Sequence, residues 1–241
     1  MPDHSDLPQA SQPHQHRDLR GGGARAAIFG VSDGLVTNVS LVLGIAGANP
    51  GGSIVRLAGV AGLVAGSFSM AAGEYLSMRA QRELFERELD VERRALKRSP
   101  EGEANELAGV YMERGIDPVV ARKMVNEVMQ NPELALETHA REELGISPQH
   151  LGSPWQAAIS SFVTFAVGAF IPLLPWLYSR GTPAVVASII LGVVASLMVG
   201  VVLAAFTERP ALRSALRQLA VTGVAAAVTY GVGRAVGTGL T

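Results

Sequence analysis

The chain has no cysteine among its 241 residues, which excludes disulfides and thiolate metal sites and leaves oxygen, imidazole or thioether as donors for any metal. A Glu-x-x-His pair occurs nowhere, which counts against a ferritin-like di-iron oxidase, and neither a prosthetic group nor enzymatic chemistry is expected. Lysine is nearly missing, two against eighteen arginines, and with so much alanine and glycine this hints at a GC-rich bacterial genome. A net charge of -1 argues against a nucleic-acid partner. More telling is where charge is lacking. Between Ala26 and Met78 the only charged side chains are Asp33, Arg56 and Glu74, and between Trp155 and Phe206 the only one is Arg180. Of the 21 acidic residues, 15 fall between Arg79 and Gly152.

The two apolar blocks hold runs of about 20 residues, enough to cross the ~30 Å hydrocarbon core of a bilayer as helices. Five spans are expected: Ile28 to Ala48, Ile54 to Met78, Trp155 to Tyr178, Pro183 to Phe206 and Leu216 to Val236. The arginines flanking the last one can snorkel to the headgroups. Residues 1–25 are polar and contain Pro and Gly, and read as a disordered tail rather than a signal peptide. Residues 26–78 then carry the first two spans, 79–152 a charged insert, and 153–241 the last three. Placing the N-terminus in the cytoplasm puts Arg17, Arg20, Arg25, the insert and the loop after the fourth span inside, and leaves only Arg56 and Arg180 in the outer loops. The expected fold class is therefore all-α: a polytopic membrane protein of five transmembrane helices in a bacterial cytoplasmic (inner) membrane. Its C-terminus lies outside, and a cytoplasmic helical domain is inserted between helices two and three.

From Ser77 to Arg98 there is neither Pro nor Gly, so the second span can continue into water as one helix, with acids and arginines interleaved as neighbouring ion pairs. Ser99 as cap and Pro100 at the first helical position predict the next helix, which runs to Arg114 before Gly115. Asp117-Pro118 opens another, and Pro132 opens a last one that stops at Gly145. Leu107, Val110, Tyr111, Val120, Met124, Val128 and Leu136 recur at helical spacing and are expected to form its small core. A core this thin gains from dimerisation or from a cation bridging its carboxylates.

Asp33 stands a few residues inside the first span, where a carboxylate needs a partner or a water-filled path; Ser32-Asp33-Gly34 also reads as a helix cap near the interface. Met70, Glu74 and Met78 follow at i, i+4 and i+8, so one helix face presents thioether, carboxylate and thioether. Such a donor set suits Fe2+ and related first-row ions better than Mg2+ or Ca2+, although methionines by themselves also serve as packing. In the insert, Glu103 and Glu106 share a face at i, i+3, as do His139 and Glu142, and His139 pairs with Glu143 at i, i+4. These spacings let two side chains grip one cation, and equally describe a solvated acidic face.

With these residues in view the chain resembles the vacuolar iron transporter family, through "FGVSDGLVTNVSLVLGIAGA", "AGLVAGSFSMAAGEYLSMRAQRELFERE", "NPELALETHAREELGI" and "SFVTFAVGAFIPLLP". The resemblance implies a five-span homodimer with its path at the subunit interface, a cytoplasmic metal-binding domain, and export of Fe2+, and often Mn2+, in exchange for protons. It also implies that Asp33 and Met70 are pathway residues. A glutamate of some members falls on Gly62, and Glu74 is its candidate replacement. Ligand positions of the domain fall on Glu92, Glu103, Glu106 and Glu143. Another falls on Ala95, with Glu88 or Asp90 as substitutes a turn or so back. A methionine pair falls on His139 and Ala140, with Glu142 a further candidate beside them. The expectation is thus a metal transporter whose partners are the lipid bilayer, divalent ions and protons. A non-transporting metal sensor or buffer and a transporter of another cation are the rival readings.

Overall fold

The computed structural model describes residues 22–49, 51–145 and 151–238, and among these there are eight α-helices and no strand. They are α1 (Gly22–Gly47), α2 (Gly52–Arg98), α3 (Pro100–Glu113), α4 (Pro118–Met129), α5 (Pro132–Glu142), α6 (Pro154–Tyr178), α7 (Thr182–Thr207) and α8 (Ala211–Thr238). Five of them, α1, α2, α6, α7 and α8, are long and apolar enough to cross a bilayer, as the runs of apolar sequence predict. The chain is a multi-pass membrane protein. The expected tail falls mostly outside the described residues, and α1 already begins at Gly22, ahead of the boundary drawn at residue 25.

The central span is α1, which packs against each of the other four. Its closest neighbour is α6, and small residues explain how near they come. A Cβ on Gly34 would run into the Phe165 carbonyl, and one on Gly168 would run into the Val31 carbonyl, so the two backbones touch where side chains would ordinarily stand between them. Asn38 ties the same seam, its amide donating to the Ala169 carbonyl at 2.5 Å. In the half of the bundle away from the distal end of α2, Val42 and Val55 pack with Leu173, Trp176 and Ala184, which joins α1, α2, α6 and α7. The helix α6 runs through Pro172 and Pro175 without a break. Ser188 of α7 donates to the Pro172 carbonyl at 2.7 Å and accepts from the Trp176 indole at 3.0 Å, so a neighbouring span supplies hydrogen bonds where the prolines weaken the ladder.

No residue between 53 and 98 interrupts α2, and at ~1.5 Å per residue its 47 residues make a rod of about 70 Å, more than twice the hydrocarbon thickness. Its distal part, from Arg79 onward, leaves the bundle and carries the ion pairs Arg79–Glu83 (2.7 Å), Arg82–Glu86 (2.8 Å) and Arg93–Asp90 (2.6 Å). Of the three short helices, α3 and α5 fold back against this rod, and α4 packs on α3 and α5. Asp117 caps α4 by accepting from Val119 N at 2.9 Å and Val120 N at 3.3 Å, and Asn131 caps α5 from Glu133 N and Leu134 N. Ser99 precedes Pro100 as expected, but its side chain makes no capping bond.

The small core is Leu107, Ala108 and Val125, with Tyr111, Met112, Val128 and Met129 packed around it. Val120 and Met124, expected inside, are exposed, while Ala121 and Val125 are buried in their place. A rotation of one residue on α4 accounts for this, because the small Ala121 lets α4 approach its neighbours more closely than Val120 would.

The α1–α6 seam yields a direct test. Gly34→Leu or Gly168→Val should lower stability by about 2 kcal/mol or more by overpacking, read as an earlier thermal transition in detergent. Gly73→Ala, where an added Cβ meets nothing within 4 Å, should leave the transition in place.

Candidate metal centre and span carboxylates

Three helices bring acids and one imidazole together beyond the membrane-spanning part. Glu92 lies on the distal part of α2, Glu103 and Glu106 on α3, His139 on α5 and Glu143 at its C-cap. His139 is fully buried, and Glu92, at 8 % exposure, is the only buried carboxylate among the described residues. The imidazole Nδ1 lies 2.9 Å from Glu143 Oε1 and 3.3 Å from Glu92 Oε1. Ligand atoms of Glu92, Glu103 and His139 all fall within 4.8 Å of one another. His139 Nε2 and Glu92 Oε1 are buried without a hydrogen-bond partner.

Arginine does not relieve this crowding. The nearby guanidiniums pair elsewhere, Arg93 with Asp90, Arg114 with Glu142 and Arg141 with Glu137, so among the described residues no arginine bridges Glu92, Glu103, Glu106 or Glu143. Burial raises the Glu92 carboxyl above the ordinary glutamate range, and the charge of Glu143 adds to the rise; His139 opposes it, while Glu103 and Glu106 push further upward. Burial likewise raises Glu143, against the pull of His139, with Glu106 and Glu103 adding to it. A cation among these groups would reverse the cause of both shifts, and one imidazole with several carboxylates is a donor set for a first-row divalent ion.

Of the further candidates, Asp90 and Glu142 are engaged with Arg93 and Arg114, and Glu88 is half-buried on α2. Ala95 is half-buried and Ala140 fully buried, so neither aligned position offers a donor.

The span residues stand apart from this centre. Asp33 is exposed on the side of α1, with Thr37 Oγ1 3.5 Å from its Oδ1. Met70 is half-buried on α2. Glu74 is four-fifths buried, and its Oε2 lies 3.7 Å from Arg25 Nη2 with no hydrogen bond of its own. Met78, on the same face, is packed between Ala26 and Ala157 and serves as core. At Gly62 the space a side chain would enter is held by the end of Leu41, with Asn38 Oδ1 3.3 Å from where a Cβ would sit.

Two residues escaped the reading of the sequence. Arg25 had been counted only for orientation, and its approach to Glu74 across 49 positions has no local signature. Asn38 is fully buried with its carbonyl oxygen unpartnered, and the signal for it was an amide standing alone in an apolar run.

The profile of the VIT family matches residues 24–234. The chain belongs to the VIT family. Vacuolar iron transporter 1 of Eucalyptus grandis is 33 % identical over 226 residues, covering 92 % of this chain and 91 % of that protein. Vacuolar iron transporter 1 of Arabidopsis thaliana is 34 % identical over 86 % of this chain and 83 % of its own length. The vacuolar iron transporter of Acanthamoeba castellanii is 35 % identical over 91 % and 81 %. All three relatives are named transporters, none an enzyme. This member of the VIT family therefore places its cluster of acids within the matched region.

The raised carboxyls set a pH dependence. In metal-free protein, Glu92 and Glu143 favour the folded state fully below the ordinary glutamate value, and that contribution is lost as pH rises through their raised folded values. Glu92→Gln should flatten this loss in pH-dependent thermal unfolding under chelator. The same substitution should weaken Mn2+ binding in calorimetry by about tenfold or more.

Proposed function

We propose that the chain carries a divalent metal ion, Fe2+ and also Mn2+, out of the cytosol in exchange for protons, working as a homodimer in the cytoplasmic membrane of a bacterium. In this reading the insert faces the cytoplasm and gathers the ion with Glu92, Glu103, Glu106, His139 and Glu143. Asp33, Met70 and Glu74 then pass it across, and a span carboxylate takes up protons as the ion leaves. The observation that carries the reading is the arginine-free cluster around buried Glu92 and His139, in which Glu92 belongs to the same unbroken helix as Met70 and Glu74. Glu92 lies eighteen helical steps beyond Glu74, about 27 Å along the rod. The relatives, named vacuolar iron transporters, support iron as the cargo.

Support for the dimer comes from what the single chain leaves uncovered. An exposed Asp33 on a span is costly against lipid, and a second copy would enclose it. The spanning part of α2 also leaves Leu57, Val64, Phe68 and Leu76 exposed. One observation favours the sensor or buffer reading: Glu74 already has a cationic neighbour in Arg25, as a purely structural carboxylate would. At 3.7 Å with no hydrogen bond the hold is loose, and an arriving divalent ion competes well for that oxygen.

Flux in proteoliposomes decides between the two. Asp33→Ala should slow Fe2+ movement by at least about tenfold, a barrier change of ~1.4 kcal/mol, and collapsing the pH gradient should slow the unaltered protein. A wild-type rate in Asp33→Ala would take the residue off the path. Tight metal binding with no flux in the unaltered protein would leave a sensor.

A further inference from the structure

At the end of the bundle away from the insert, two cavities adjoin. The first, of about 340 Å3, is an apolar slot between α1, α7 and α8, walled by Val39, Leu43, Ile189, Val193, Gly223 and Ala226. The second, of about 640 Å3, is a polar vestibule where the outer helix ends meet, and Asn49, Trp176, Thr182 and Arg234 line it. Val185 and Tyr230 belong to the walls of both, so the two spaces lie side by side. Ile189, Val193 and Tyr230 are 44 %, 38 % and 40 % exposed, which opens the slot sideways to the bilayer between α7 and α8.

The dimensions of this space match one leaflet. Along α8 the slot runs from Leu219 to Tyr230, about 16 Å at ~1.5 Å per residue, and half of a ~30 Å hydrocarbon core is about 15 Å. On α7 it runs the same eleven steps, from Val185 to Ser196. Arg234 lies one turn beyond Tyr230, about 6 Å further, at the depth where headgroups begin.

Charge selects the occupant. No Asp or Glu occurs from residue 34 to 73, from 153 to 207 or from 209 to 241, so the helix ends forming the vestibule carry arginines and no acid. Arg234 lines the vestibule, and the aliphatic stem of Arg180 lies beside Gly52 of its wall. An apolar slot of leaflet depth under a cationic mouth is the complement of a lipid with a negative headgroup. We propose that an anionic phospholipid binds here, its phosphate at Arg234 and one acyl chain laid in the slot between α7 and α8.

The test uses the full chain in detergent, with native mass spectrometry and thermal unfolding in the presence of phosphatidylglycerol, phosphatidylcholine of the same acyl chains, or inorganic phosphate. Phosphatidylglycerol should bind about fivefold more tightly than phosphatidylcholine, the preference expected from one arginine near the headgroup. Arg234→Gln should bring the two lipids to parity. Gly223→Leu grows a side chain into space where a Cβ meets nothing within 4 Å, and should reduce retention of both; Ala227→Leu, on the same wall, serves if that variant does not fold. Equal binding of the two lipids to the unaltered protein, or lipid retention unchanged in both slot and arginine variants, overturns the proposal. Stabilisation by inorganic phosphate equal to that by phosphatidylglycerol overturns it too, since an anion site without a lipid slot would then suffice.

Discussion

A fully buried imidazole surrounded by carboxylates, with Arg93, Arg114 and Arg141 engaged elsewhere, is the constraint on which the rest of the molecule turns. Buried negative charge is tolerated when a proton, an arginine or a metal compensates it. The fold withholds arginine from Glu92 and Glu143, so protons or a metal remain, and the raised carboxyls are the protonic answer in the absence of metal. Because α2, α3 and α5 each contribute a donor, an ion held there would also bind together a unit whose apolar core is small.

That unit is positioned by helix continuity rather than by a linker. An uninterrupted α2 places the cluster at a set distance and rotation relative to Met70 and Glu74, since each residue between them adds a fixed rise and turn. The membrane end of the rod is held in turn by contacts that only small residues permit. Where Gly34 and Gly168 bring α1 and α6 into backbone contact, the side chains of the seam have one arrangement open to them, and Asn38 fills it by bonding across. Close packing there contrasts with the slot between α7 and α8, where an added Cβ on Gly223 would meet nothing within 4 Å.

Much of this was legible beforehand because a bilayer imposes a strong and simple rule. A helix must satisfy its own backbone and present about 20 apolar residues, so the five spans could be read by length. The proline-led starts of α3, α4 and α5 were legible for a similar local reason: Pro at the first helical position acts within one turn, as do the caps Asp117 and Asn131 before α4 and α5. The face of α4 that turns inward was misjudged, because Val120-Met124 and Ala121-Val125 are equally periodic and only the closeness of α3 and α5 separates them. His139 and Glu143 were visible as an i, i+4 pair, yet nothing local said that Glu92, 47 positions earlier, completes the group.

By itself the sequence determined the spans, the unbroken rod and the segregation of acids into one insert, since these follow from residue polarity and from interactions within a turn or two of the chain. The tertiary structure alone decided which acids share a space, which arginines are taken up elsewhere, that Glu74 faces Arg25, and that a slot and a cationic vestibule adjoin. Those outcomes depend on the rotation and closeness of helices far apart in sequence, and helix packing sets both through side-chain size at the contact, a quantity that no single segment carries.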